Sequence, residues 1–149
     1  MRFLMVDRIL SIEPGKNIVA VKTLDPSEEL FQDHFPGFPV VPGVLLTEMM
    51  AQTAGNCLFS EAPERGYPML LRIKNASFRT WVEPGHEIRL HAEVTSSAPT
   101  YAGAKCQAQV SGQKVCEAEL AFCFVPRERL GAPSESLKMF SIEAHDHDE

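Results

Sequence analysis

The sequence contains no apolar run close to the roughly 20 residues that a membrane-spanning helix needs, so no membrane span is predicted. Its first residues lead directly into a patterned segment, and no signal or transit peptide is expected there. Basic residues are also scarce, with 14 Lys and Arg against 20 Asp and Glu and a net charge of −6. That balance argues against nucleic acid as the main partner.

Paired cysteines are also absent. The chain has four cysteines, none in a C-x-x-C pair and all in apolar segments: Cys57, Cys106, Cys116 and Cys123. This usage is typical of reduced core residues and argues against a disulfide framework or a zinc site. We therefore expect a cytoplasmic protein, and its 149 residues have the size of one domain.

The segments at residues 87–98, 100–112 and 113–125 alternate apolar and polar residues for long stretches, as half-buried antiparallel strands do. Strands are predicted at residues 3–12, 17–24, 68–74, 77–82, 87–98, 100–112 and 113–125. Residues 44–59 instead favour one helix, because they follow Pro42, contain no proline and are rich in helix formers. The predicted fold is α+β, with a long central helix wrapped by a curved antiparallel sheet.

This domain is expected to span residues 1–125, followed by a polar, loosely ordered tail at 126–149 with one short helix near 135–142. The central helix is apolar nearly all round, which is typical of a buried helix. One sheet cannot cover both sides of it, so a second subunit is expected to cover the rest.

Charge almost disappears between residues 35 and 60, where Glu48 is the only formally charged side chain. Glu48, Gln52 and Asn56 are spaced i, i+4 and i+8 and therefore share one stripe of the helix. The stripe could simply face solvent, but residues 35–64 contain no basic residue, whereas a solvated stripe normally does. An unpaired carboxyl group in an apolar wall favours its neutral form, which suits a general acid.

His34 lies fourteen residues before Glu48, at the start of a loop with prolines at positions 36, 39 and 42. A lone histidine is more often structural, but a stiff loop would hold this one in a single place, as a catalytic base requires. Gly43 then opens the helix, where free N–H groups favour negative charge. Base, acid and oxyanion donor together suit removal of a proton α to a thioester carbonyl and loss of a β-hydroxyl.

The run "HFPGFPVVPGVLLTEMMAQ" resembles the hotdog-fold 3-hydroxyacyl-[acyl-carrier-protein] dehydratases of the FabZ type. "FLMVDRILSIEPG" and "GQKVCEAEL" fit the same family, and "NASFRTWVEPG" fits more loosely. The resemblance implies a hotdog fold, no metal or organic cofactor, and a 3-hydroxyacyl substrate on acyl carrier protein. It implies that His34 is the catalytic histidine, Glu48 the catalytic acid and Gly43 the thioester-polarising donor. It further implies a homodimer, or three such dimers together, with the histidine of one subunit facing the acid of the other.

The sequence departs from the family at a few positions. Asp33 replaces the usual glycine before the histidine and could raise the basicity of His34 or redirect it. Asp33 and Gln52 are therefore candidate modulators. "LLRIKN" stands where the family tends to have a small Ala-Gly pair and an acid, and Met69 falls near its gating tyrosine. These changes favour dehydration in a dedicated pathway with an unusual acyl chain.

Acyl carrier proteins of this kind are acidic, so a basic surface is expected to bind them. Residues 65–82 contain no acid and include four basic side chains, which are Arg65, Arg72, Lys74 and Arg79. These four are candidate carrier-protein contacts, although an ordinary solvated strand face would look the same. The terminal run His145-Asp146-His147-Asp148 could bind a metal weakly but is more typical of a solubilising tail.

Three other functions remain open at this point. A hotdog thioesterase would use the helix carboxylate to activate water and would not need His34. A hydratase acting on coenzyme A esters would carry an Asp-x4-His pattern, which is not found in this sequence. A non-catalytic acyl-binding hotdog protein would not be expected to keep both His34 and Glu48.

Overall fold

A computed structural model describes residues 2–130 of the chain. Six strands form one antiparallel sheet in the order β1-β2-β4-β5-β6-β3. In this part of the chain, no helix is both long enough and apolar enough to cross a membrane. The elements are β1 (Arg8–Glu13), β2 (Asn17–Lys22), α1 (Leu30–Asp33), α2 (Gly43–Glu61), a 3₁₀ turn (Pro63–Arg65), β3 (Tyr67–Phe78), β4 (Ile88–Ala98), β5 (Tyr101–Val110), β6 (Gln113–Val125) and α3 (Arg127–Leu130).

The 19-residue helix α2 packs against β2 to β6 and forms the centre of the core. Met49, Met50 and Leu58 on the helix are fully buried, as is Leu90 on the sheet. Alternate strand positions point inward, so the sheet offers the helix an apolar face and keeps its polar residues outside. The predicted α+β architecture, with a central helix and an antiparallel sheet, is confirmed.

Several element boundaries differ from those predicted from the sequence, most by one or two residues. The first strand begins at Arg8 rather than at residue 3, because residues 3–5 bond to a helix side chain. The predicted strands at 68–74 and 77–82 form one strand, β3, that stops at Phe78. Residues 79–82 then join other segments, with the Val41 N–H donating to the Val82 carbonyl at 2.7 Å. The helix predicted at 44–59 is confirmed and is one residue longer at its start and two longer at its end.

Ser111-Gly112 is a turn signal in the sequence between the strands predicted at 100–112 and 113–125, and the hairpin between β5 and β6 turns there. Their φ values of 51° and 80° are both positive, which is the conformation of a type I′ turn. The predicted tail begins where β6 ends, and its first residues form α3. The short helix predicted near 135–142 lies outside the described residues.

Helix α2 is covered within the single chain more completely than the sequence predicted. From Leu46 to Phe59, only Glu48 and Gln52 of α2 are not buried, while Val44 near its start is 77% exposed. Among the described residues, the largest set of exposed apolar side chains on one element lies on the edge strand β3. Its exposed fractions are 44% at Met69, 40% at Leu70, 57% at Leu71, 47% at Ile73 and 48% at Phe78.

The cysteines are free thiols, as predicted. Cys57, Cys106 and Cys116 are buried, whereas Cys123 is only partly so. Burial raises the pKa of Cys106 to about 12 and that of Cys116 to about 11. These two thiols therefore stay neutral and unreactive in the folded core.

Candidate active site

His34 directly follows α1 and begins the proline-rich loop that leads to α2. Its Nδ1 atom lies 3.0 Å from the Val40 carbonyl oxygen, and the Phe35 ring stacks on the imidazole with centroids 4.2 Å apart. A carbonyl oxygen can only accept a hydrogen bond, so the neutral imidazole carries its proton on Nδ1. The lone pair of Nε2 is thereby left available to act as a base.

The loop that carries His34 is closed by its own backbone. The Val40 N–H donates to the His34 carbonyl at 2.9 Å. Phe35 and Phe38 exchange two backbone hydrogen bonds of 2.9 and 2.8 Å across a turn with Gly37 at φ 75°. The Phe38 ring meets Trp81 edge-to-face at 5.8 Å. These contacts fix the loop on both sides of the histidine.

Gly43 is the first residue of α2 and has no side-chain cap before it, because Pro42 occupies the N-cap position. Among the described residues, no hydrogen bond uses the Gly43 N–H. The Phe78 ring lies so close that a Cβ atom at position 43 would be 3.2 Å from it. Glycine therefore lets an aromatic ring cover this end of the helix, where free N–H groups and the helix dipole favour a developing negative charge.

Glu48 is half-buried one turn further along α2. Its Oε1 atom accepts a hydrogen bond of 2.9 Å from Gln52 Nε2, and the Asn56 Nδ2 donates to the Gln52 carbonyl at 2.8 Å. Asn56 is only 7% exposed, so the stripe does not simply face solvent. Gln52 gives the Glu48 carboxyl group a neutral hydrogen-bond donor, which the sequence did not predict, but it supplies no counter-charge.

The N-terminal segment completes this stripe, and the sequence did not predict that contact. The Met5 N–H donates to Gln52 Oε1 at 2.8 Å, and Gln52 Nε2 also donates to the Phe3 carbonyl at 3.0 Å. Alternation of apolar residues made the segment look like an ordinary strand. No pattern in it indicates that a helix side chain takes the place of a neighbouring strand.

Asp33 is the last residue of α1, and its side chain is exposed. Within residues 2–130, no hydrogen bond or ion pair joins it to His34. If Asp33 modulates His34, its charge would therefore act electrostatically and not through a direct bond.

The four basic candidates differ in their surroundings. The Arg65 guanidinium bonds Glu61 at 3.0 Å and lies 4.2 Å from the centre of the Phe124 ring. The Arg79 side chain pairs with Glu117 at 2.8 Å. Arg72 and Lys74 are exposed on β3 and belong to no ion pair of the described residues, although Lys74 lies opposite Glu119 in the ladder.

No group of three or more His, Cys, Asp or Glu side chains within residues 2–130 could hold a metal ion. The histidines and aspartates of the terminal run, residues 145–148, lie outside that range.

Known proteins resemble the chain over most of its length. A family model described as a FabA-like domain matches residues 1–119. The chain is 43% identical over 121 residues to the 3-hydroxyacyl-[acyl-carrier-protein] dehydratase FabZ of Listeria monocytogenes, covering 80% of this chain and 84% of that protein. It is 40% identical over 126 residues to the enzyme of the same name from Bacillus pumilus, covering 84% and 88%.

Solved structures share the fold at low sequence identity. The dehydratase heterocomplex ApeI:P from Xenorhabdus doucetiae superposes with a TM-score of 0.69 at 14% identity, over 86% of this chain and 87% of that one. A hypothetical thioesterase with coenzyme A from Streptococcus pneumoniae gives a TM-score of 0.62 at 11% identity, over 80% and 88%. These similarities confirm the hotdog fold. Together with the matches in sequence, they show that the chain belongs to the FabZ-type 3-hydroxyacyl-[acyl-carrier-protein] dehydratase family.

Proposed function

We propose that the protein removes water from 3-hydroxyacyl thioesters carried on acyl carrier protein, to give trans-2-enoyl thioesters in fatty-acid synthesis. The family membership supports this reaction. The main structural support for this reaction is the orientation of the His34 imidazole. Its Nδ1–H donates to the Val40 carbonyl, which leaves Nε2 free to act as a base.

In this proposal His34 Nε2 takes the proton from C2 of the acyl chain. The electron pair of that C–H bond forms the C2=C3 double bond, and the C3–O bond breaks. Glu48 gives its proton to the departing hydroxyl, so that water leaves. The Gly43 N–H binds the thioester oxygen while that oxygen gains negative charge. Proton transfer from His34 back to Glu48 restores both groups.

The active site is shared between two subunits. Gly43 and Glu48 are five residues apart on α2, so they point about 140° apart and lie about 7.5 Å apart along the axis. One helix therefore cannot easily aim its first N–H and its carboxyl group at one small thioester. Two antiparallel helices can, if each gives its loop end to one site and its carboxyl group to the other.

Strand β3 is the edge through which we propose that the homodimer forms. It is 12 residues long, pairs on one side with β6 and leaves its other edge open. A long apolar edge strand is a template for pairing with another strand. The family resemblance also allows three dimers to assemble, and native mass spectrometry would separate the dimer from a hexamer.

The carrier protein binds beside this strand, at Arg72 and Lys74. Their charges are exposed, whereas Arg65 and Arg79 are engaged with acids of their own chain. A cytoplasmic location is part of the proposal, since Cys57, Cys106 and Cys116 are free thiols and thiols stay reduced in that compartment.

The test is to offer the purified protein a panel of 3-hydroxyacyl carrier proteins of different chain length and to follow them by mass spectrometry, without added metal. We expect loss of one water from the carrier-bound chain. The departures at Met69 and in the run of residues 70–75 predict that the preferred chain differs from that of a housekeeping enzyme. Release of free acid with no enoyl product would instead establish a thioesterase.

A further inference from the structure

We propose that Gln52 is a positioning residue that fixes which oxygen of Glu48 delivers the proton. The inference rests on the proposed function and adds a role for the N-terminal segment. Through Gln52, backbone atoms of Phe3 and Met5 hold the Glu48 carboxyl group in one orientation. The oxygen that faces away from Gln52, Oε2, is then the acidic one.

The orientation of the Gln52 amide follows from its partners. The Met5 backbone N–H can only donate, so the amide atom that lies 2.8 Å from it is the oxygen. The Phe3 carbonyl can only accept, so the atom 3.0 Å from it is the NH₂ group. In an extended chain, the carbonyl of one residue and the N–H of the second residue after it point to the same side. The Gln52 amide therefore makes the same two hydrogen bonds to this segment that the peptide group of a neighbouring strand would make.

The anchor of this arrangement is rigid. Met5 is 0% exposed and Val6 is 4% exposed, so the segment is fixed in the core directly after the bonded atoms. The Asp7 N–H then donates to the Val21 carbonyl at 2.8 Å and joins the segment to the sheet. Rotation of the amide would break the half-buried hydrogen bond from the Met5 N–H and the exposed one to the Phe3 carbonyl.

The second NH₂ hydrogen of Gln52 points to Glu48 Oε1 at 2.9 Å. In the protonated carboxyl group the carbonyl oxygen is the stronger acceptor, so the oxygen that accepts this bond is assigned as the carbonyl oxygen. The proton therefore resides on Oε2. When Glu48 protonates the departing hydroxyl, the Oε2–H bond breaks, and the carboxylate that forms keeps the bond from Gln52.

Two variants of Gln52 test its positioning role: one removes the hydrogen-bond donor, and the other replaces it with a second carboxyl group. Gln52→Leu removes the donor and lets the carboxyl group rotate, so we expect kcat to fall roughly 10- to 100-fold with KM little changed. Gln52→Glu keeps the acceptor for Met5 but places a second carboxyl group against Glu48. Two carboxyl groups at that distance share one proton, so the alkaline limb of the pH–rate profile should move to higher pH. Gln107→Leu, which removes a half-buried amide from β5, is the matched control and should leave both quantities unchanged.

The wild-type protein offers a test that needs no variant. The ¹⁵N signal of the Gln52 side-chain amide should shift with pH in step with the loss of activity on the alkaline side. A signal that stays constant through that range overturns the proposal, as do folded Gln52 variants with wild-type kcat and pH profile. If instead the wild-type protein fails to remove water from 3-hydroxyacyl carrier proteins, the proposed function itself fails, and the two failures are thereby distinguished.

Discussion

At the scale of single residues, one hydrogen bond decides the chemistry of His34. An imidazole without it could carry its proton on either nitrogen and would present the wrong one part of the time. The Val40 carbonyl, 3.0 Å from Nδ1, removes that choice. The acceptor is a backbone atom held by the loop itself, so the tautomer is set by the fold and by no second side chain.

We therefore expect His34→Ala to lower the turnover of 3-hydroxyacyl carrier-protein substrates by about 10²- to 10⁴-fold, which is the usual contribution of one acid–base group. Product formation by mass spectrometry measures the effect, and circular dichroism checks the fold. His91→Ala is the control, because His91 is also half-buried but lies on β4. Near-normal turnover of His34→Ala would exclude its role as the base.

Asp33 adds a charge one residue from His34, and its carboxylate is exposed. A negative charge nearby favours the protonated imidazole, so Asp33→Gly should let the neutral base form at lower pH. We expect the acid limb of the pH–rate profile to move to lower pH in dilute buffer and to move less at high salt. If the profile is unchanged at low salt, the aspartate at this position is incidental.

At the scale of elements, Glu117 ties the end of β3 to β6. Its carboxylate bonds Lys114 at 2.7 Å and Arg79 at 2.8 Å, and these two bonds hold the pKa of Glu117 well below 4.5, at about 2. The carboxylate is more favourable in the folded state, so its contribution to stability is present above the unfolded pKa. It is lost as pH falls from about 4.5 toward about 2.

Glu117→Gln should therefore lower Tm at pH 7, and the gap to wild type should narrow as pH falls through that window. Thermal unfolding between pH 7 and pH 3 measures it. Glu93→Gln removes one acid from β4 without touching this cluster and corrects for the change in net charge. A gap that stays constant with pH would show that the cluster adds no pH-dependent stability.

A further prediction at this scale concerns the basic residues of strand β3. Arg72→Glu or Lys74→Glu should weaken carrier-protein substrates more than small thioester mimics, because only the carrier offers an acidic surface. Added salt should reduce the difference. Arg89→Glu reverses a charge on β4, away from β3, and should affect neither substrate. An equal loss on both substrates would instead place Arg72 and Lys74 in the acyl channel or in the fold.

Elements also show what the sequence could and could not predict. The helix was predictable because Pro42, the stop signals at residues 60–66 and an apolar run with a single charge act locally. The hairpin at Ser111 and Gly112 was predictable for the same reason. Residues 3–5 were misjudged because alternation cannot distinguish bonds to a strand from bonds to Gln52. The ion pair between Arg65 and Glu61 was not predicted either, because it depends on how the chain turns after α2.

At the scale of the whole molecule, the proposed two-fold arrangement would place each pair of functional groups across a subunit boundary. We expect a mixture of His34→Ala and Glu48→Gln proteins, each inactive alone, to regain activity on subunit exchange. Half of the randomly formed dimers are mixed, and each of these has one intact site, so about a quarter of wild-type activity should return. No recovery, with exchange confirmed by native mass spectrometry, would mean that His34 and Glu48 act within one chain.

The two edge strands of the sheet, β1 and β3, differ in how readily they could pair with a strand of another subunit. Strand β1 has six residues, and charged side chains occupy both of its ends, Arg8 with Glu87 and Glu13 with Lys16. Strand β3 is twice as long and carries five exposed apolar side chains. In the proposed homodimer, pairing of β3 with β3 would use the open edge of both subunits and leave only the β1 edges outside, so the sheet would end at two copies and would not extend into a fibre.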